Sequence, residues 1–398
     1  MRNKSVWFVI TSLLFAFSAQ ADEGFEQWLS HFYTTAASQG ITRSTYTNAF
    51  DGVHEPDMDV LKKAAFQPEY TLEIWEYLDG RINSYSLGKG MEMYKQYSPL
   101  LQKIENDFHV DGTVLLAIWS METGYGEVLK KRERLHYIPQ ALATLAYGDA
   151  KRKKFGETQL IAALQILQKG TISKDQLVGS WAGAMGHTQF IPTSYLAYAY
   201  DFDGNGRADI WNSVPDALAT SANLLGKNGW NLRRGWGCET TAPENGMNYV
   251  DQSKPLSEWI RLGFKLSADC GKVKDEDHLV LKMPAKNAGP AFLTGKNYSV
   301  VKKYNNSDAY ALAALLLSDR ISGLPQPVKK WERPANSVIF EEKIEIQQLL
   351  KSKGYYSGEP DGFFGNASKD ALKRFQQEKG MEVTGLPTKT VLTALRGK

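Results

Sequence analysis

Between Leu115 and Gly126 the chain reads Leu-Leu-Ala-Ile-Trp-Ser-Met-Glu-Thr-Gly-Tyr-Gly. Leu115, Ile118 and Glu122 stand three and four residues apart, so a helix places them on one face. That face is apolar except for one carboxylate. Gly124 and Gly126 follow at once, and glycine commonly ends helices. The spacing predicts Glu122 in the last turn of a helix, turned inward. Burial and the negative end of the helix dipole both disfavour its anion. A carboxyl group with a raised pKa is what a general acid requires. The alternative is a glutamate that swings into solvent from a frayed helix end, the commoner fate of a charged side chain.

A second segment, Gly179 to Tyr195, is dense in small residues: Gly179, Ala182, Gly183, Ala184 and Gly186. Small residues let backbone approach a ligand, or other backbone, closely. Ser180, Gln189, Thr193 and Ser194 add uncharged hydrogen-bonding groups, and Trp181 and Tyr195 add aromatic faces. The mixture suits an uncharged, hydroxyl-rich ligand such as a sugar. It equally suits a tightly packed turn between helices.

The first residues bear on the compartment. Arg2 and Lys4 precede an apolar run from Val6 to Phe17, and Ala19-Gln20-Ala21 forms a cleavage pattern. This reads as a secretory signal peptide over residues 1–21, with the mature chain starting near Asp22. An uncleaved N-terminal anchor is the alternative. The run is too short to span a bilayer, and no later stretch is apolar enough to do so. No Cys lies near the cleavage pattern for lipid attachment, so an exported, periplasmic chain without a membrane span is expected. The formal charge of +3 falls to +1 once Arg2 and Lys4 are removed, which gives no general attraction to nucleic acid. Cys238 and Cys270 are the two cysteines, and in an oxidising compartment a pair favours one disulfide. Two separate buried thiols are the alternative.

Three prolines between Pro325 and Pro334 mark a connector at 323–335. It separates a large unit, 22–322, from a small one, 336–398. The large unit has helical periodicity in most places, as at Phe25, Trp28, Phe32 and Ala36. Leu279–Met283 and Tyr298–Val301 look like short strands. The small unit shows three helical stretches, 342–350, 367–379 and 388–395, with Gly380 as a stop signal and an aromatic turn around Tyr355, Phe363 and Phe364. The expected fold class is mainly α: a helical body with a small β element, followed by a three-helix module.

Asp201-Phe202-Asp203-Gly204-Asn205-Gly206-Arg207-Ala208-Asp209 follows the opening of an EF-hand loop. Oxygen ligands fall at positions one, three and five, glycine at six and an acid at nine, and Arg207 would offer its carbonyl. Asn212 stands where a bidentate glutamate is usual, and Asp216 could supply the missing carboxylate. The alternative is an Asx-rich turn bonded to its own backbone. A bound Ca2+ here would be structural, pinning the segment after Tyr195.

Taken together, these blocks resemble the lytic murein transglycosylase B family. The likeness rests on Ile118–Gly126, Gly179–Tyr195, Asp201–Trp211 and Tyr304-Asn305-Asn306-Ser307-Asp308-Ala309-Tyr310-Ala311. Four ordered blocks are more specific than any one. The tail resembles a type 1 peptidoglycan-binding domain, through Gly354-Tyr355, Asp361-Gly362-Phe363-Phe364-Gly365, Phe375-Gln376 and Thr384-Gly385.

The resemblance implies a lysozyme-like fold with Glu122 as the sole catalytic acid and base, and Ser180 hydrogen-bonding it. It implies that Met185, Gln189, Tyr304, Asn305 and Tyr310 line a sugar cleft, and that calcium sits in the Asp201 loop. The resemblance also implies Arg152 as a substrate contact, although Ala150-Lys151-Arg152 stands where relatives carry Pro-Arg-Arg. Leu224 stands where some relatives carry Tyr.

No cofactor is expected for the chemistry. Peptidoglycan glycan strands are the expected partner of a monomeric chain, and cell-wall synthesis or division proteins are candidate protein partners.

Glycoside cleavage normally uses two carboxylates, roughly 5–5.5 Å apart for retention or 6.5–9.5 Å for inversion. No second acid stands out beside Glu122. The resemblance implies that the muramoyl C6 hydroxyl is the nucleophile and closes a 1,6-anhydro ring. A hydrolytic muramidase and a non-catalytic wall-binding scaffold are the competing readings.

Overall fold

A computed structural model describes residues 16–65, 72–267, 270, 273–275 and 277–397. Most of the expected signal peptide, residues 1–15, lies outside them. The described residues hold sixteen α-helices against seven short strands, so the class is mainly α, as the periodicity predicts. None of these helices is long and apolar enough to cross a membrane. The described residues form two compact units, one drawn from 1–68 and 126–220 and the other from 69–125 and 221–398.

In the first unit, helices Ile138–Gly148 and Lys153–Gln168 form the centre. Pro139 lies in the first turn of the former, where its missing N–H costs nothing. Leu142, Leu145, Leu160, Leu164 and Ile166 are fully buried. A two-stranded antiparallel ribbon pairs His136–Tyr137 with Val178–Gly179. His136 ties the ribbon to the Met58–Ala65 helix, with Nδ1 2.6 Å from Asp57 Oδ2 and Nε2 3.0 Å from Lys63 Nζ.

In the second unit the Gly112–Thr123 helix is the innermost element. Val114 through Trp119 are all buried, because hydrophobic residues surround the helix on nearly every side. Helices Ser84–Phe108 and Asp308–Ile321 pack against it.

The β element is a five-stranded antiparallel sheet. Its order is Ser253–Pro255, His278–Lys282, Ala291–Thr294, Gly237–Thr241, Lys265–Leu266. Trp259, Phe264, Leu279, Leu281 and Leu293 fill the core beside it. The strand expected at Leu279–Met283 is present one residue earlier. The one expected at Tyr298–Val301 is instead part of the Lys296–Tyr304 helix. There Asn297, Tyr298, Val300 and Val301 form a buried helical face, and Asn297 Nδ2 donates to the carbonyls of Asn231 and Arg234. Burial of that face outweighs the β-propensity of two adjacent valines.

The C-terminal helices are Phe340–Ser352, Asn366–Glu378 and Lys389–Leu395, close to the expected spans. Ile346, Leu350, Leu372, Phe375 and Leu395 make their own core. Tyr355 packs edge-on to Phe375, while Phe363 stays 54 % exposed.

Cys238 and Cys270 are joined in a disulfide across 32 residues, as the pairing of two cysteines predicts. Replacing both with serine is expected to lower unfolding stability by roughly 3–4 kcal/mol, the loop entropy released to the unfolded chain. Denaturant titration with an unchanged midpoint would contradict that.

Candidate active site

Glu122 occupies the last turn of the Gly112–Thr123 helix. Gly124 caps the helix in the left-handed region at φ 57°, and its N–H bonds the Ser120 carbonyl. Tyr125 and Gly126 follow at φ 62° and 89°. A left-handed tyrosine is uncommon. Here its hydroxyl donates to the Ser86 carbonyl at 2.9 Å, and its ring meets Trp119 edge-on.

The Tyr310 hydroxyl donates to Glu122 Oε1 at 2.5 Å. Tyr310 sits in the first turn of the Asp308–Ile321 helix, where the Ser307 side chain accepts its backbone N–H. Burial and the charge of Glu122 hold the phenol well above its ordinary pKa, so it stays protonated and is the donor. Glu122 itself keeps part of its surface open. Desolvation pushes its carboxyl up to about 7, against the Tyr310 hydrogen bond and the positive charge of Arg81, which both lower it. The helix C-terminus adds to the upward push. A carboxyl near 7 can both give and take a proton at neutral pH.

Tyr304 ends the preceding helix, with its hydroxyl 3.4 Å from Ser221 Oγ, and it acts electrostatically on Tyr310. Asn305 caps that helix and is exposed. Glu122, Tyr304 and Tyr310 are thus brought together in one unit. Arg81 and Tyr77, which complete this cluster, were not among the residues singled out by the sequence. Their four-residue spacing on a helix is the sole local signal, and nothing nearby in the chain says that the helix meets Glu122.

Ser180, Met185, Gln189 and Arg152 belong to the other unit. Ser180 Oγ accepts the Ala184 N–H at 3.0 Å. Met185 and Phe190 exchange backbone hydrogen bonds of 2.9 and 3.0 Å, closing a tight turn. Gln189 lies in that turn at φ 51°, its Nε2 donating to the Gly186 carbonyl. Met185 has no exposed surface, so it holds the turn in place and offers no face to a ligand. Gly186 has φ 70°, and a Cβ there would stand 2.4 Å from the Ile210 carbonyl oxygen. The neighbouring His187 N–H bonds that carbonyl at 2.9 Å, so the turn is seated on the Asp201–Asn212 loop. Arg152 pairs with Asp149 at 2.6 Å and lies over the Trp181 ring.

In the loop, Asp201 accepts three backbone N–H groups, from Gly204, Asn205 and Gly206. Asn205 Oδ1 accepts the Arg207 N–H, and Asp209 Oδ1 those of Trp211 and Asn212. The carboxylates of Asp201, Asp203 and Asp216 offer oxygens within 4.8 Å of one another. Asp216 is fully buried, and desolvation raises its pKa against hydrogen bonds from Phe202 and Asp209, with the charges of Asp203 and Asp201 adding to the rise.

The family model described as "Transglycosylase SLT domain" matches residues 24–319, and that described as "Putative peptidoglycan binding domain" matches residues 341–395. The chain is 28 % identical over 247 residues to the membrane-bound lytic murein transglycosylase B of Escherichia coli K12. That match covers 61 % of this chain and 65 % of the relative, so the chain spans just under two thirds of that protein's length. A spore cortex-lytic enzyme of Bacillus cereus is 39 % identical over 83 residues, 20 % of this chain and 31 % of the enzyme. Among solved structures, SltB3 from Pseudomonas aeruginosa in complex with NAG-anhNAM-pentapeptide is 38 % identical. It aligns with a TM-score of 0.72 over 94 % of this chain and 99 % of that one.

The raised carboxyl has a consequence for stability. A group whose folded pKa lies above its unfolded value contributes stability that is complete below the unfolded value, near 4.5, and is lost as pH rises through about 7. Glu122→Gln, which is neutral throughout, is therefore expected to gain on the parent chain across that window. The gain should reach about 3 kcal/mol at pH 8 and vanish below pH 4.5. Thermal unfolding at several pH values measures it, and a difference independent of pH would contradict the burial of the charge.

Proposed function

This chain belongs to the transglycosylase SLT domain family, and on that premise we propose that it is a lytic transglycosylase of peptidoglycan. It cleaves the β-1,4 bond between N-acetylmuramic acid and N-acetylglucosamine without consuming water. The observation that carries the reading is the carboxyl of Glu122, held near neutrality at a helix end by burial and steadied by Tyr310.

The protonated carboxyl gives its proton to the glycosidic oxygen, and the bond to the muramoyl C1 breaks. Positive charge develops at C1, and the sugar's acetamido group helps stabilise it. Glu122, now a carboxylate, takes the proton of the muramoyl C6 hydroxyl. The C6 oxygen bonds C1, the 1,6-anhydro ring closes, and Glu122 is protonated again. Proton count and charge balance with one side chain. Tyr310 donates to the carboxylate form, easing ionisation at the first step, and burial favours reprotonation at the second. The Pseudomonas aeruginosa protein was solved with an anhydromuramoyl fragment, which supports a ring-closed product here.

Ser180 is assigned, as the family resemblance implies, to the catalytic acid, Gln189, Tyr304, Asn305 and Arg152 to substrate placement, and Met185 to supporting the turn that carries Gln189. The chain acts outside the cytoplasm, where its polymer lies. The C-terminal module tethers it to that insoluble polymer and raises local substrate concentration. Glu122→Gln is expected to abolish release of soluble fragments from purified sacculi. The parent enzyme should yield fragments lighter by one water than hydrolysis products. Reducing ends by mass spectrometry would mark a muramidase, and sacculus binding with no soluble product would mark a scaffold.

Calcium fits the Asp201 loop. Asp201, Asp203 and Asp216 supply carboxylates, with Asn205, the Arg207 carbonyl and Asp209 completing the oxygen set. A divalent cation would relieve the mutual repulsion around the buried Asp216. Its role is to stiffen the loop beneath the Gly186 turn. Millimolar calcium is expected to raise the thermal midpoint relative to chelator, with a stabilisation of about 2–3 kcal/mol at a hundredfold excess over Kd. Asp216→Asn should erase that response, and a midpoint insensitive to both would exclude the ion.

A further inference from the structure

The Ile74–Arg81 helix is held from two opposite sides. Residues four apart share a face, so Trp75 and Asp79 form one side and Tyr77 and Arg81 lie about half a turn away. On the inner side, Arg81 Nη1 donates at 3.3 Å to the carbonyl of Met121, the peptide unit that leads into Glu122. The guanidinium lies 5.5 Å from the centre of the Tyr77 ring, and Tyr77 in turn acts on Tyr310.

On the outer side, Arg333 of the proline-rich connector forks onto Asp79, with Nη1 at 2.5 Å and Nη2 at 2.7 Å. Its guanidinium also lies 5.3 Å from the centre of the Trp75 ring. The first helix of the C-terminal module adds two contacts. Lys343 pairs with Glu76 of the helix at 3.1 Å, and Glu341 accepts the N–H of Ser84, the first residue of the next helix, at 3.2 Å.

A helix of eight residues is too short to stand alone, and its N-cap Glu73 makes no side-chain capping bond. Its placement therefore comes from what grips it. Arg333 and Asp79 are both more than two-thirds buried, and a bidentate guanidinium–carboxylate fork fixes orientation as well as distance. The outer grip lies in the connector and the C-terminal module, and the inner side reaches the peptide that carries the acid.

We propose that Arg81 is a positioning residue for Glu122, and that the Arg333–Asp79 fork holds Arg81 in place, so that the connector to the C-terminal module is part of the working active site. The proposal rests on the reading of Glu122 as the acid. The charged and titratable groups that act on Glu122 are Tyr310 and, from this helix, Arg81, while Tyr304 and Tyr77 act on Tyr310. Arg81 favours the carboxylate, so its loss shifts the balance toward the protonated form.

The test uses the full chain and measures kcat, KM and the pH profile on a soluble glycan. Arg81→Gln should lower kcat about tenfold with little change in KM, and should move the alkaline limb of the profile to higher pH. Arg81→Lys keeps the charge and loses the guanidinium hydrogen bond to the Met121 carbonyl, so kcat should fall while the limb stays in place. Arg333→Gln should change kcat and the limb in the same direction as Arg81→Gln, by roughly three- to fivefold in kcat. Arg396→Gln breaks an exposed pair with Glu345 in the same module and should change nothing.

If Arg333→Gln is folded and keeps the parental kcat and limb, the connector has no part in the site. If Arg81→Gln and Arg81→Lys both behave as the parent while Glu122→Gln is inactive, Arg81 is structural only and the proposal fails. An active Glu122→Gln would overturn the underlying reading of the acid itself.

Discussion

The hydrogen bond from Tyr310 to Glu122 stands where opposing influences on one carboxyl group meet. Burial and the end of the helix dipole push the group toward the protonated form, while the phenol and the Arg81 charge pull it toward the anion. Burial alone would keep the proton on the carboxyl and make it a poor donor. Hydrogen bonding alone would leave it ionised, with no proton to give. The proposed reaction needs a group that passes through both states in each turnover. The balance near 7 is therefore the quantity on which the account depends.

Each contributor to that balance is fixed by ordinary folding physics. The Gly112–Thr123 helix is buried because it is apolar nearly all round, and that burial carries Glu122 inward with it. Gly124 stops the helix one residue after Thr123, so the carboxylate falls in the last turn. Ser307 caps the helix that presents Tyr310. In the other unit the same economy holds: the Gly186 turn can sit on the Ile210 carbonyl because it lacks a Cβ, and the acidic loop lies directly beneath it.

Much of this was legible in the sequence because it is local. Periodicity and a glycine pair placed Glu122 at a helix end. Alternating acids marked the loop, where Asp201, Asp203 and Asp216 offer carboxylate oxygens within 4.8 Å of one another. The three C-terminal helices emerged within a few residues of their spans. Long-range effects were harder to read. Tyr298–Val301 looked like a strand because two valines and a tyrosine favour one, whereas the buried face of a helix decides there. Met185 fell in a motif that suggests ligand contact, yet it is wholly enclosed. Arg81 and Arg333 carry no signature, since one lies 41 residues before Glu122 and the other far after it, and only the folded packing brings the helix between them to the acid.

The most direct measurement is the titration of the Glu122 carboxyl carbon by 13C NMR in glutamate-labelled protein, with the resonance assigned by its absence in Glu122→Gln. The account predicts a midpoint near 7, well separated from the exposed glutamates. A midpoint near 4.5 would mean that the group is a free surface carboxylate at neutral pH, and that it cannot serve as the acid of the proposed reaction.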